Sequence, residues 1–167
     1  MTNAILLLFP ALMAYAAASD LLTMTIPNRV SVILVAGFAV LVSLGIVGLG
    51  ALPYHLTAGG VVLIACFGMF AAGWMGGGDA KLAAATALWL GPDVLIDYLL
   101  VTAVAGGALT FGLLAARTVP LPGFALEWTW VTRLHDRNTG VPYGIALAGA
   151  ALFVYPDSPV WRAGLGT

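Results

Sequence analysis

Two of the seven acidic residues, Asp20 and Asp79, stand apart because each abuts a strongly apolar run, whereas most of the others fall in connections that water can reach. An ionisable side chain at membrane depth marks a functional site by default. Two carboxylates facing one another across a small gap can share a proton, since like-charge repulsion and partial desolvation separate their titrations. One then takes a proton from a water held between them. The other protonates or hydrogen-bonds a peptide carbonyl as the tetrahedral intermediate forms. That hydrolysis needs no metal, no cofactor and no Ser or Cys nucleophile. It does need close backbone approach, which Gly76, Gly77 and Gly78 permit. Taken singly, each carboxylate has a plainer reading. Asp20 can stop a helix at the interface, and Asp79 can cap a helix starting at Ala80 or pair with Lys81. Both residues lie beside backbone-breaking motifs, and that shared setting favours function.

The elements that must hold such a pair are membrane helices. Of the 167 residues, 62% are hydrophobic and 8% charged, against about a quarter charged in soluble domains. Lipid is therefore part of the solvent, and the apolar runs are long enough to span a bilayer. The net charge of −1 argues against a nucleic-acid role. Cys66 is the single cysteine, so neither an intrachain disulfide nor a thiolate metal cluster can form, and it reads as a small packing residue. Residues 4–18 imitate a signal peptide, with Ala16-Ala17-Ala18 as a mock cleavage site. No Lys or Arg precedes the run, so residues 4–22 read as a retained first helix, kinked or started near Pro10.

Six apolar segments follow from the punctuation: about 4–22, 30–50, 56–75, 80–91, 94–116 and 140–156, with one polar loop over 117–139. The expected fold is all-α, a single domain over 1–167 with about six transmembrane helices. With the N-terminus periplasmic, the inside connections carry Arg29, Lys81, Arg117, Arg133 and Arg137, and the outside ones only Arg162. His55 and His135 then lie on opposite sides and cannot share a metal. The segment 80–91 rises roughly 18 Å as a helix, too short for a core of about 30 Å. Gly76–Asp79 must therefore lie below the membrane surface, in a sunken, cytoplasm-facing site where irregular backbone lines a wet cavity or is buried in protein. A single tilted helix through 80–116 is the alternative, and Gly91-Pro92 opposes it. The Trp128/Trp130 stretch reads as an interfacial belt, or as a surface segment admitting a substrate helix. Gly106-Gly107 reads as a close-packing point.

Three motifs in order narrow the function. Asp20-Leu21 with Thr25-Ile26-Pro27-Asn28-Arg29, Gly76-Gly77-Gly78-Asp79-Ala80-Lys81-Leu82 (a GxGD motif) and Val141-Pro142-Tyr143-Gly144 resemble those of the type IV prepilin peptidases. The resemblance implies an aspartic endopeptidase of the bacterial inner membrane with Asp20 and Asp79 as its catalytic pair. Its substrates would be pilin and pseudopilin precursors, cleaved at the cytoplasmic face. Pro27, Asn28, Gly76, Gly78, Lys81, Pro142, Tyr143 and Gly144 are implied supports. The chain has no Cys-rich domain and no Cys-x-x-Cys, so it is similar to the short, peptidase-only members serving tight-adherence (Flp-type) pili, without methyl transfer. A small transporter or channel subunit using the two aspartates as an ion or proton relay is the rival reading. A catalytically silent scaffold is a third.

Overall fold

Every apolar segment read from the sequence is helical in the computed structural model, which describes residues 2–166 and the side chains of 5–166. The helices are α1 (Thr2–Thr23), α2 (Asn28–Ser43), α3 (Leu52–Ala71), α4 (Gly77–Leu90), α5 (Leu95–Ala116), α6 (Thr129–His135), α7 (Gly144–Val154) and α8 (Pro159–Leu165). Among the described residues there is no strand.

Three helices are long and apolar enough to cross a membrane, over Ile5–Thr23, Leu52–Ala71 and Leu95–Ala116. The others are shorter. The second segment stops at Ser43 rather than near 50, because Gly45 turns left-handed with φ 73° and the chain loops back before α3. The loop expected over 117–139 contains α6 and a 3-10 turn at Gly123–Glu127. The break between α4 and α5 is real, since Gly91 has φ 73° and Pro92 follows. A single helix through 80–116 is thereby excluded.

The short α4 is the centre of the bundle. At 14 residues it rises about 21 Å, and every residue from Leu82 to Leu90 is buried. A helix wrapped by protein need not match the bilayer. It lies antiparallel to α3, where Gly59 lets the backbones meet: a Cβ there would stand 3.1 Å from that of Leu88. Buried His55 of α3 donates from Nδ1 to the Leu88 carbonyl at 2.8 Å, a structural latch. Trp89, fully buried, donates to the Leu34 carbonyl of α2 at 2.7 Å.

Helix α1 runs antiparallel to α7 and continues through Pro10. It neither begins nor breaks there. Proline has no N–H, so the carbonyl four residues earlier, on Leu6, loses its helical donor. Tyr155 supplies a substitute, its hydroxyl donating to the Leu6 carbonyl at 3.1 Å. Its ring stacks on Phe9 with centroids 4.3 Å apart. Tyr155→Phe should keep the stacking but orphan that carbonyl, at a cost of about 1–3 kcal/mol. Equilibrium unfolding in mixed micelles would measure this, and an unchanged midpoint would refute the substitution by Tyr155.

Candidate active site

Asp20 lies in the last turns of α1 and Asp79 in the first turn of α4, so both stand on helices and not in the connecting loops. Helix α4 begins at Gly77, with Gly76 in the extended capping conformation (φ −70°, ψ 143°). Asp79 is thus the third helical residue and not the cap of a helix starting at Ala80. The flexible glycines let the helix start earlier than the apolar pattern indicates.

Asp20 is 5% exposed. Its Oδ2 accepts the backbone N–H of Gly144 at 2.8 Å, at the first residue of α7. Each carboxylate therefore sits at the N-terminal end of a short buried helix, where unsatisfied N–H groups and the helix dipole favour negative charge. The two helices deliver the carboxylates to one recess of about 250 Å³, lined by Asp20, Asp79, Met24, Ile26 and Gly76 to Gly78. On Asp79, Oδ1 is buried with no hydrogen-bond partner, and Oδ2 lies 2.9 Å from where a Cβ on Gly76 would stand.

The connection from α1 to α2 forms the floor. Met24 takes a left-handed φ of 56°, a conformation that costs a non-glycine residue of order 1 kcal/mol or more. Its N–H closes α1 on the Asp20 carbonyl at 2.8 Å. Ser19 Oγ holds the Thr25 carbonyl at 2.8 Å. Ile26 then wedges between two glycines. A Cβ on Gly78 would stand 3.2 Å from both Cβ and the carbonyl oxygen of Ile26, and one on Gly144 would stand 2.6 Å from its Cδ1. The starts of α4 and α7 approach the same isoleucine only because neither carries a side chain there.

The remaining expected residues divide. Pro142 is buried before α7. Tyr143 packs its ring on Gly106 of α5 and donates to the Thr102 carbonyl at 3.4 Å. Of the two glycines on α5, Gly106 is the one used, since a Cβ on Gly107 would meet open space. Lys81 does not pair with Asp79. It donates to Asn28 Oδ1 at 2.9 Å and ties α4 to the start of α2, which Pro27 caps in extended conformation. Met24 and Thr102 were not singled out from the sequence, and Arg133 was noted only as a cytoplasm-side charge. Arg133 donates to the Leu22 carbonyl at 2.8 Å and pins α6 beside the end of α1. Only the left-handed turn at Met24 had a local signal, the abrupt end of an apolar run before Thr25.

Fold and recess together define a class: an all-helical membrane protein that gathers two carboxylates at the starts of two short inner helices. The profile of the Type IV leader peptidase family matches residues 7–111, more than half of the chain, and the chain belongs to that family. Asp20 and Asp79 both fall within the matched stretch, while Pro142 to Gly144 lie beyond it. No curated protein and no solved structure matches the chain.

The crowding at Gly144 has a measurable consequence. A Cβ there would stand 2.8 Å from Asp20 Oδ2, so Gly144→Ala must displace the carboxylate or the start of α7, costing about 1–3 kcal/mol. Gly107→Ala should cost nothing by crowding. Comparing the two by unfolding and by precursor processing checks this, and equal behaviour would contradict the close approach.

Proposed function

We propose that the chain is an aspartic endopeptidase that removes the leader from type IVb (Flp-type) pilin and pseudopilin precursors at the cytoplasmic face of the inner membrane. Family membership supports leader-peptide hydrolysis. The observation that supports the aspartic mechanism is the shared recess, which Asp20 and Asp79 both line. One carboxylate acts as base on a water between them, and its partner acts as acid toward the scissile carbonyl. The Gly144 N–H holds Asp20 in place during this exchange. The Flp-type substrate rests on the resemblance of the motifs.

Co-expression with a candidate pilin precursor tests the reading. Asp20→Asn and Asp79→Asn should each insert and fold, yet leave the precursor uncleaved, a fall in rate of about 10³-fold or more. Normal processing by either variant would remove the assignment, and ion flux in liposomes without cleavage would favour the relay reading. With wild-type protein, cleavage against pH should follow a bell, one limb for each macroscopic titration of the pair. A flat profile would contradict a shared proton.

A further inference from the structure

Among the described residues, three buried side-chain oxygens have no hydrogen-bond partner: Asp79 Oδ1, the Tyr98 hydroxyl and Thr102 Oγ1. Two of them stand on one stripe. Helix α5 is an apolar span, and the residues it buries are Tyr98, Thr102 and Gly106, at intervals of four along one face. Gly106 is filled by the Tyr143 ring, whose hydroxyl donates to the Thr102 carbonyl at 3.4 Å. Tyr98 is fully buried and Thr102 is 6% exposed. A hydroxyl left unbonded in such an interior is strongly disfavoured. Helix α5 packs on α7, whereas α4 packs on α3 and α2, so a seam separates these two consecutive helices. Tyr98 spans it, with its phenol beside the hydroxyls of Thr102 and of Thr86 on α4. Thr86 donates to Met13 Sδ at 3.7 Å, which leaves its oxygen open to accept. On α4, Thr86 lies about two turns beyond Asp79, on the same face. The link between α4 and α5 is short, over 91–94, so positions equally far from it lie level: Thr86 with Tyr98, and Asp79 with Gly106. Thr102 falls between those levels. The unbonded oxygens thus mark a polar column along the seam, and its upper end, Asp79, also lines the recess.

We propose that this seam binds internal water, which Tyr98 and Thr102 hold and which reaches Asp79 Oδ1. The inference rests on the aspartic leader-peptidase reading and deepens it: Tyr98 and Thr102 are positioning residues that act on the reaction through the Asp79 carboxyl. Water fits the chemistry, because an internal water makes about three hydrogen bonds and bridges groups that lack partners. It accepts from the Tyr98 phenol, bonds Thr102 Oγ1 and donates to Asp79 Oδ1. That last bond fixes the carboxyl plane and leaves Oδ2 on the side of Gly76, toward the recess.

The test uses the full-length protein in liposomes. Infrared difference spectra between acid and neutral pH report the Asp79 carboxyl, whose band is identified by its loss in Asp79→Asn. Exchange into heavy-oxygen water identifies the O–H band of bound water. Tyr98→Phe and Thr102→Val each remove one hydroxyl with little change of shape. Each should abolish the water band and move the Asp79 carbonyl stretch to higher frequency, the sign of a lost hydrogen bond. With a pilin precursor as substrate, kcat should fall roughly tenfold, the scale of one hydrogen bond, while KM stays within about twofold. Thr102→Ser keeps the hydroxyl and should behave as wild type in all three. Unchanged spectra or an unchanged kcat in both variants overturns the proposal, as does a water band that vanishes while the Asp79 band stays fixed. Thr102→Ser behaving as Thr102→Val also overturns it, since shape rather than the hydroxyl would then matter. If the wild type cleaves no precursor, the leader-peptidase reading fails on its own, and the spectra still decide whether the seam binds water.

Discussion

A carboxylate inside an apolar bundle is tolerated only where its surroundings replace the water it has lost. For Asp20 that replacement is the Gly144 N–H at the start of α7, and the rest of the site follows from it. The bond joins the end of one helix to the beginning of another more than a hundred residues later. It turns α7 into an inner helix whose N-terminus faces the recess. Asp79 uses the same principle within its own helix, in the first turn of α4. Both helices are short, and a helix sheathed by protein has no bilayer to match.

The second constraint is space. Ile26, Gly78 and Gly144 form one contact set, and the two glycines are needed where α4 and α7 converge on the isoleucine. The Thr25–Asn28 loop is held by Ser19 and by the left-handed Met24, so the wedge cannot drift. Arg133 on the Leu22 carbonyl anchors the same corner from outside. The aspartate end is thus braced by backbone bonds and close packing. The opposite end is held by a ring cluster, in which Phe9 meets Trp89 and Tyr155 and Tyr155 meets Trp161.

Much of this was legible in the residues. The apolar runs placed the six principal helices, and the Gly91-Pro92 break separated α4 from α5. The shortness of the fourth segment was legible too, and α4 has 14 residues. The end of α2 was misread because Leu44, Ile46, Val47 and Leu49 continue an apolar run through a glycine-rich turn. Helices α6 and α8 have seven residues each, too few for a periodic pattern to emerge. Within the site, the aspartates and the glycines of the GxGD motif were visible as types. Their partners were not. The bonds from Lys81 to Asn28 and from Gly144 to Asp20 depend on which helices become neighbours, and no local spacing records that. The Tyr155 bond to the Leu6 carbonyl is equally non-local, and α1 continues through Pro10 rather than starting there.

The central claim is that Asp20 and Asp79 act as one unit rather than as two independent acidic residues. A double-mutant cycle on cleavage rate addresses it directly. The rate of precursor cleavage would be measured for wild type, Asp20→Asn, Asp79→Asn and the double variant in the same liposomes. If the carboxylates share one reaction, the double variant should be no slower than the worse single variant, within about threefold. Two losses that multiply would contradict the account, and would mean that the carboxylates contribute separately.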